Sequence, residues 1–264
     1  MQNSNFRLLL FILILIKMSP SIGDNHNERR DIFAGDPYGV EMLACNYRDG
    51  KNLADLIKVT KDWSYWATKN NPNYDAWLLT PVFPTEHTKH AVHWLGTANS
   101  LGELMAVLDQ WMDTSDPKKE RIKDAFESVV GCEIRAVFRG KNLKPLPDDV
   151  TNEKGVAQFF GCSVNDGVER KEVGIATSKW TRFIDELGLR EAHHRWWPAN
   201  GVMGTDHMAE FDFINIIETD SLSERAENGA IWWEALGPKK AEEIFGELLS
   251  CNGWGVFSYM KVSS

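Results

Sequence analysis

Seven histidines occur in this chain of 264 residues, and two of them share a setting, Thr85-Glu86-His87 and Thr205-Asp206-His207. An imidazole beside a carboxylate can take up and release protons near neutral pH. His87 and His207 are therefore the catalytic candidates. The same three-residue pattern also makes a turn, with hydroxyl and carboxylate bonded to nearby backbone, and that reading asks for no chemistry. His87, His90 and His93 form a denser group, but a strand over residues 89–95 would turn His90 and His93 to opposite faces. That argues against a three-histidine metal site, and no metal is expected. His193 and His194, with Glu210 and Asp212, could supply further acid–base groups or simply lie on a solvated edge. The sequence contains no GxSxG, P-loop, Rossmann glycine pattern, HExxH or CxxCH. Common hydrolase, nucleotide and c-haem chemistries fall away, and no cofactor is expected.

These residues sit in a duplicated chain, and the duplication decides how they are read. At an offset of 117, Cys45 falls on Cys162, Asp49-Gly50 on Asp166-Gly167, and Trp63 on Trp180. At 120, Trp77 meets Trp197 and His87 meets His207; at 121, Ser100 meets Ser221 and Trp111 meets Trp232; at 119, Cys132 meets Cys251. The divisions are an export signal at 1–23, a leader at 24–37, one repeat at 38–140, a linker at 141–155 and a second repeat at 156–264. Of the eleven tryptophans, those matched between copies read as core. Trp66, Trp94, Trp196, Trp233 and Trp254 have no tryptophan opposite, and Trp94 aligns with Asn215.

Each repeat spells strand, helix, strand, strand, helix, strand. Short apolar runs at residues 41–47 and 158–164 end in Asp-Gly turns and predict first strands. Helical spacing over 51–69 and 169–187 predicts first helices. Second strands are expected at 76–83 and 195–203, and third strands at 91–96 and 210–217. Ser100 and Ser221 cap helices over 101–111 and 222–233. Pro117 and Pro238 start further turns, and last strands fall at 134–138 and 255–262. The fold class is α+β, two ferredoxin-like βαββαβ units. A four-stranded antiparallel sheet covered by helices on one face leaves the other face apolar. Two such sheets can cover each other face to face.

This element order and duplication resemble the dimeric α+β barrel superfamily, here as a single-chain tandem form. The Cys-x3-Asp-Gly openings at Cys45 and Cys162 are also similar to those of uncharacterised exported proteins. The resemblance implies an intramolecular α+β barrel enclosing a cavity. It does not imply a reaction, because superfamily members include cofactor-poor monooxygenases, haem-handling enzymes and proteins of unknown role. A barrel interior with Trp94 on one side and Asn215 and Asp212 on the other would suit an amphipathic ligand.

In a ferredoxin-like sheet the first and last strands are antiparallel neighbours, which brings Cys45 beside Cys132 and Cys162 beside Cys251. Of the three possible pairings, this one respects the repeat without linking its copies. The alternatives are four buried thiols or, with less support from the spacing, a zinc site. An exported setting favours oxidation. The apolar run Leu8–Ile16 between Arg7 and Lys17 has the form of a signal-peptide core and is about half the length that spans a bilayer. The expected location is secreted or periplasmic, with no stable membrane span after signal removal. Lys+Arg 29 against Asp+Glu 38 gives a net charge of −9, which gives nucleic-acid binding no support. The sequence therefore reads as an exported monomer with an internal pseudo-dimer that binds a small apolar or aromatic molecule in the inter-repeat barrel. The alternatives are an oxygenase- or isomerase-like enzyme using His87 or His207, and a structural or protein-interaction module with a filled barrel.

Overall fold

Two runs of one element series make up the computed structural model, which describes residues 37–71, 73–83, 88–199 and 211–262. The first run is β1 (Tyr38–Tyr47), α1 (Leu53–Asn70), β2 (Tyr74–Phe83), β3 (Val92–Ala98), α2 (Leu101–Met112), α3 (Pro117–Glu127) and β4 (Val130–Lys144). The second is β5 (Lys154–Val164), α4 (Arg170–Glu186), β6 (Ala192–Pro198), β7 (Phe213–Thr219), α5 (Leu222–Glu234), α6 (Gly237–Phe245) and β8 (Leu249–Lys261). The expected export signal, most of the leader, His87, His207 and Glu210 lie outside the described residues.

Local chemistry accounts for the element boundaries. The Asp-Gly turns after β1 and β5 place Gly50 and Gly167 at φ 73° and 80°, a region that L side chains enter only at a cost. Asn52 caps α1, its side chain accepting from the Ala54 and Asp55 amides, while Asp55 accepts in return from the Asn52 amide. Ser100 Oγ accepts from the Glu103 amide and Ser221 Oγ from the Glu224 amide, each at 3.1 Å. Pro117 opens α3 at a position whose N–H has no helical partner to lose. Replacing Ser100 or Ser221 by alanine leaves one of those amides unbonded. We expect a loss of about 1 kcal/mol for each, read from urea unfolding curves.

All strand pairs are antiparallel, and the order β1-β3-β2-β8-β5-β7-β6-β4 closes into a barrel. Within each half the order is that of a ferredoxin-like sheet. The two sheets also meet at their edges, because β2 pairs with β8 and β4 with β6. That demand explains why β4 outruns the expected 134–138. Its Lys141, Asn142 and Lys144 pair with Arg195, His194 and His193, so the strand continues into the segment that reads as linker. Closure removes the free edges that would otherwise template aggregation.

Inside the barrel, Val40, Leu79, Phe138, Phe159, Ile214 and Phe257 form the centre of a buried cluster contributed by both halves. Two further clusters lie between the sheets and their helices. The ladders correct one repeat equivalence. Leu43 pairs with Trp94 in the first half, and its counterpart Phe160 pairs with Asn215 in the second. Trp94 faces Leu78 across β2, whereas Asn215 faces Arg195 across β6. The second strands therefore keep the offset of 117, and the insertion comes after them. Trp77 and Trp197 are not equivalent: Trp77 and Trp196 pack inside the barrel, whereas Trp197 packs with the outer cluster of the second half. An odd shift in a strand exchanges its two faces.

Both disulfides form as expected, Cys45–Cys132 and Cys162–Cys251, with Cα separations of 3.9 and 4.1 Å. Each joins directly paired residues of the first and last strands of its half.

A candidate binding cleft between helices and sheet

The outer face of the first sheet and helices α1, α2 and α3 enclose a cleft of about 760 Å³. Its walls are aromatic because α1 directs Trp63 and Trp66 inward, α2 and α3 supply Trp111 and Phe126, and β3 supplies Trp94. Trp94 meets Trp63 edge-on at a centroid distance of 4.5 Å and Phe126 at 5.6 Å. Trp66 meets Trp111 at 5.6 Å and donates its Nε1 proton to Asp116 Oδ2 at 3.2 Å.

One buried carboxyl group interrupts this lining; Glu127 and Glu133, also in it, are exposed. Glu41 on β1 is only 4 % exposed. Its Oε1 accepts a hydrogen bond from the Tyr74 hydroxyl, which in turn accepts from Trp94 Nε1 at 3.0 Å. Its Oε2 lies 3.7 Å from Arg135 Nε and makes no hydrogen bond. Burial pushes the Glu41 carboxyl above the ordinary carboxylate range, and the Tyr74 hydrogen bond and the Arg135 charge only partly oppose it. Burial, then the nearby Glu41 charge, push the Tyr74 phenol well above its usual value, so it remains a proton donor. The cleft thus pairs flat apolar walls with two buried polar atoms that make no hydrogen bond, Glu41 Oε2 and the Tyr47 hydroxyl oxygen, a combination suited to small-molecule recognition.

The second half fills the corresponding layer differently. The two-fold relation takes Glu41 to Gln158, Leu78 to Arg195, Trp94 to Asn215 and Leu104 to Arg225. Arg195 donates to Asn215 Oδ1 at 2.8 Å and Thr177 Oγ1 at 2.9 Å, and stacks 4.2 Å above the Phe213 ring. Burial lowers its pKa to about 10, which still leaves it charged at neutral pH. Glu191, 2 % exposed, accepts from His193, Arg225 and Asn228 at 2.8, 3.4 and 3.3 Å. These polar groups satisfy one another.

Solved structures share this architecture. A chlorite dismutase from Candidatus Nitrospira defluvii in complex with imidazole matches with a TM-score of 0.50 and 11 % identity, over 89 % of this chain and 94 % of its own. A variant of that enzyme gives 0.52 and 8 %, over 89 % and 96 %. A candidate monooxygenase from Fusobacterium nucleatum gives 0.52 and 7 %, over 87 % and 94 %. The chain has the dimeric α+β barrel fold. No protein-family model and no curated protein matches its sequence. At these identities the likeness extends to the α+β barrel itself and not to its chemistry.

Of the residues expected to bind a ligand inside this α+β barrel, none lies in its interior. Trp94 and Asn215 occupy equivalent places on the outer, helix-facing surface, because the pleat turns Leu95 and Ile216 inward instead. Trp94 lines the cleft, whereas Asn215 is held by Arg195. Asp212, expected within a strand over 210–217, lies instead on a bend before β7, and its Oδ2 accepts from the Val164 amide at 2.8 Å. Glu41, Tyr74 and Arg135 were not singled out by the sequence. The available signal was Glu41 itself, a lone acid inside the apolar run Val40–Ala44. Among the described residues no histidine lines the cleft, and its cysteines are joined in a disulfide.

Proposed function

We propose that this is an exported binding protein whose helix–sheet cleft in the first half takes a small planar aromatic molecule carrying one O–H or N–H group. The observation that carries this reading is Glu41 Oε2, buried in a tryptophan-walled space and making no hydrogen bond, with Arg135 Nε 3.7 Å away. This site lies outside the barrel, whereas the sequence alone placed a ligand inside it, where large side chains from both halves form a buried cluster. Export is supported by the signal-like N-terminus and by the two disulfides. No helix among the described residues is long and apolar enough to cross a membrane.

The test is calorimetric titration with 2-naphthol and with 2-methoxynaphthalene, which lacks the donor. Glu41→Gln suits the fold because Gln158 already stands at the equivalent place. The carboxyl acceptor strengthens the contact with an O–H by about 1.5 kcal/mol, or roughly tenfold in affinity. We therefore expect Glu41→Gln to weaken 2-naphthol about tenfold and leave 2-methoxynaphthalene unchanged. Absence of binding by either compound, or equal effects on both, would overturn the reading. Mass and proton NMR analysis of recovered 2-naphthol distinguishes a binder from the oxygenase- or isomerase-like alternative: oxygenation changes the mass, isomerisation changes the spectrum, and a binder returns the compound unaltered.

A further inference from the structure

A second group of titratable side chains closes one end of the barrel interior, around a cavity of about 590 Å³. His194 on β6 lies with its Nε2 3.0 Å from Glu218 Oε2 on β7. The other Glu218 oxygen accepts from the Tyr259 hydroxyl of β8. His194 Nδ1 lies 3.2 Å from the Tyr38 hydroxyl and 2.7 Å from Asn142 Oδ1. Trp196 Nε1 donates to the Tyr38 oxygen at 3.0 Å. Behind this ring, Leu79, Leu95, Phe159 and Ile216 give the cavity an apolar floor.

The fold does not require this set. The two-fold relation takes His194 to Trp77, Glu218 to Thr97, Tyr38 to Gly155 and Tyr259 to Gly140. The equivalent positions carry the same backbone with none of these titrating groups. The two glycines are matched to the phenols: a Cβ on Gly140 would meet the Tyr38 ring, and one on Gly155 the Tyr259 hydroxyl. One side of the two-fold has thus acquired a base, an acid that orients it and two phenols, Tyr38 from the first half and the rest from the second, all opening on one cavity.

Protonation follows from the surroundings. Burial works to raise the Glu218 pKa, but the His194 and Tyr259 hydrogen bonds and the His194 charge outweigh it and hold the carboxyl below its ordinary value. Burial, with the Glu218 charge adding to it, pushes both phenols up, so they stay neutral donors. In its neutral form, with Nε2–H donating to Glu218, His194 keeps a lone pair on Nδ1 directed at Tyr38, and the Asn142 side chain, whose Oδ1 stands at 2.7 Å, turns to present its NH2 instead. Glu218, with Asp75 also lining the cavity, disfavours an anionic ligand. A neutral oxygen acceptor suits a phenol donor.

We propose that this end of the barrel is a second small-molecule site, taking a compact carbonyl compound and moving the proton on the carbon next to its carbonyl. The carbonyl displaces Asn142 and accepts from the Tyr38 hydroxyl. His194 Nδ1 takes the α-proton. The C–H pair becomes a carbon–carbon double bond, and the carbonyl π pair moves to oxygen as an enolate held by Tyr38. Nδ1 then returns the proton to carbon, and no oxidant or reductant takes part. Glu218 is a positioning residue, fixing the tautomer of His194.

The experiment follows deuterium exchange into acetone, cyclohexanone and phenylacetone by proton NMR, using the full chain in D2O against the same concentration of imidazole. A positioned base contributes about 100-fold or more. We expect exchange of one or more ketones to exceed the imidazole reference by that factor and to return to it in His194→Gln. Exchange at the reference level for all three, or unchanged in His194→Gln, would overturn the proposal. If circular dichroism finds His194→Gln misfolded, Tyr38→Phe decides: it removes one oxygen, and exchange undiminished in that variant would overturn the proposal. Glu218→Gln separates orientation from packing, because it should move the pH profile of exchange as well as its rate.

Discussion

Replacing Cys45 and Cys132 together by alanine lowers the free energy of unfolding by about 2–5 kcal/mol, and replacing Cys162 and Cys251 does the same. Each bridge ties the first strand of its half to the last, across sequence separations of 87 and 89 residues. A cross-link that closes so long a loop removes many conformations from the unfolded chain, and the chain-entropy model puts its upper figure at about 4–5 kcal/mol. The folded state has a further stake in the same strands. β4 pairs with β1 on one side and β6 on the other, and β8 pairs with β5 and β2. Freeing either strand opens a ladder within a half and one of the two seams that join the halves. The bridges lie in different halves without shared partners, so their losses should add to within about 0.5 kcal/mol. Guanidinium unfolding of the two double variants and the quadruple variant measures this. A change below about 1 kcal/mol on removing all four cysteines would deny the bridges this role.

The same pairing marks how far the sequence could be read. Element order, caps and cysteine pairing were legible because each depends on local signals or on one repeat equivalence: Ser100 and Ser221, Asp49-Gly50 and Asp166-Gly167, and four cysteines at matched places. Facing was harder. Trp77 and Trp197 look equivalent because both are tryptophan and a three-residue insertion aligns them. Only the ladder to β3 and β7 reveals that the insertion comes later and that the two rings lie on opposite surfaces. Trp94 failed as a barrel residue for a related reason. Its face is fixed by its partners Leu43 and Leu78, and a strand with apolar residues on both sides does not announce which side meets the helices. The candidate sites were less legible still. Glu41 takes its importance from Tyr74, 33 residues away, and His194 from Tyr38, 156 residues away. Such meetings are set by register, and no spacing along the chain encodes them.

Between pH 7 and pH 4 the protein should lose about 3 kcal/mol of stability through one side chain, His93. It sits on β3 facing into the barrel, 4 % exposed, with its ring 5.1 Å from that of Phe257. Its Nδ1 has no hydrogen-bond partner. Burial, and then the neighbouring His90 ring at 6.0 Å, lower its pKa from 6.5 to about 4. The folded protein therefore keeps His93 neutral where the unfolded chain already binds a proton. Stability is complete above pH 6.5 and falls as pH drops toward 4, by roughly 1.4 kcal/mol per pH unit of the shift. Glu41 acts in the opposite sense. Its raised pKa makes the folded state the better proton binder, so its contribution grows as pH falls toward the unfolded carboxyl value. The whole-protein profile mixes the two, and the His93→Gln variant separates them because glutamine does not titrate. The difference in unfolding free energy between wild type and His93→Gln, from urea curves at pH 7 and pH 4, should change by about 3 kcal/mol in favour of the variant at low pH. A difference that stays constant would mean that protons reach His93 in the folded barrel as readily as in the unfolded chain, and the buried, unpartnered ring would then have to open to solvent without unfolding.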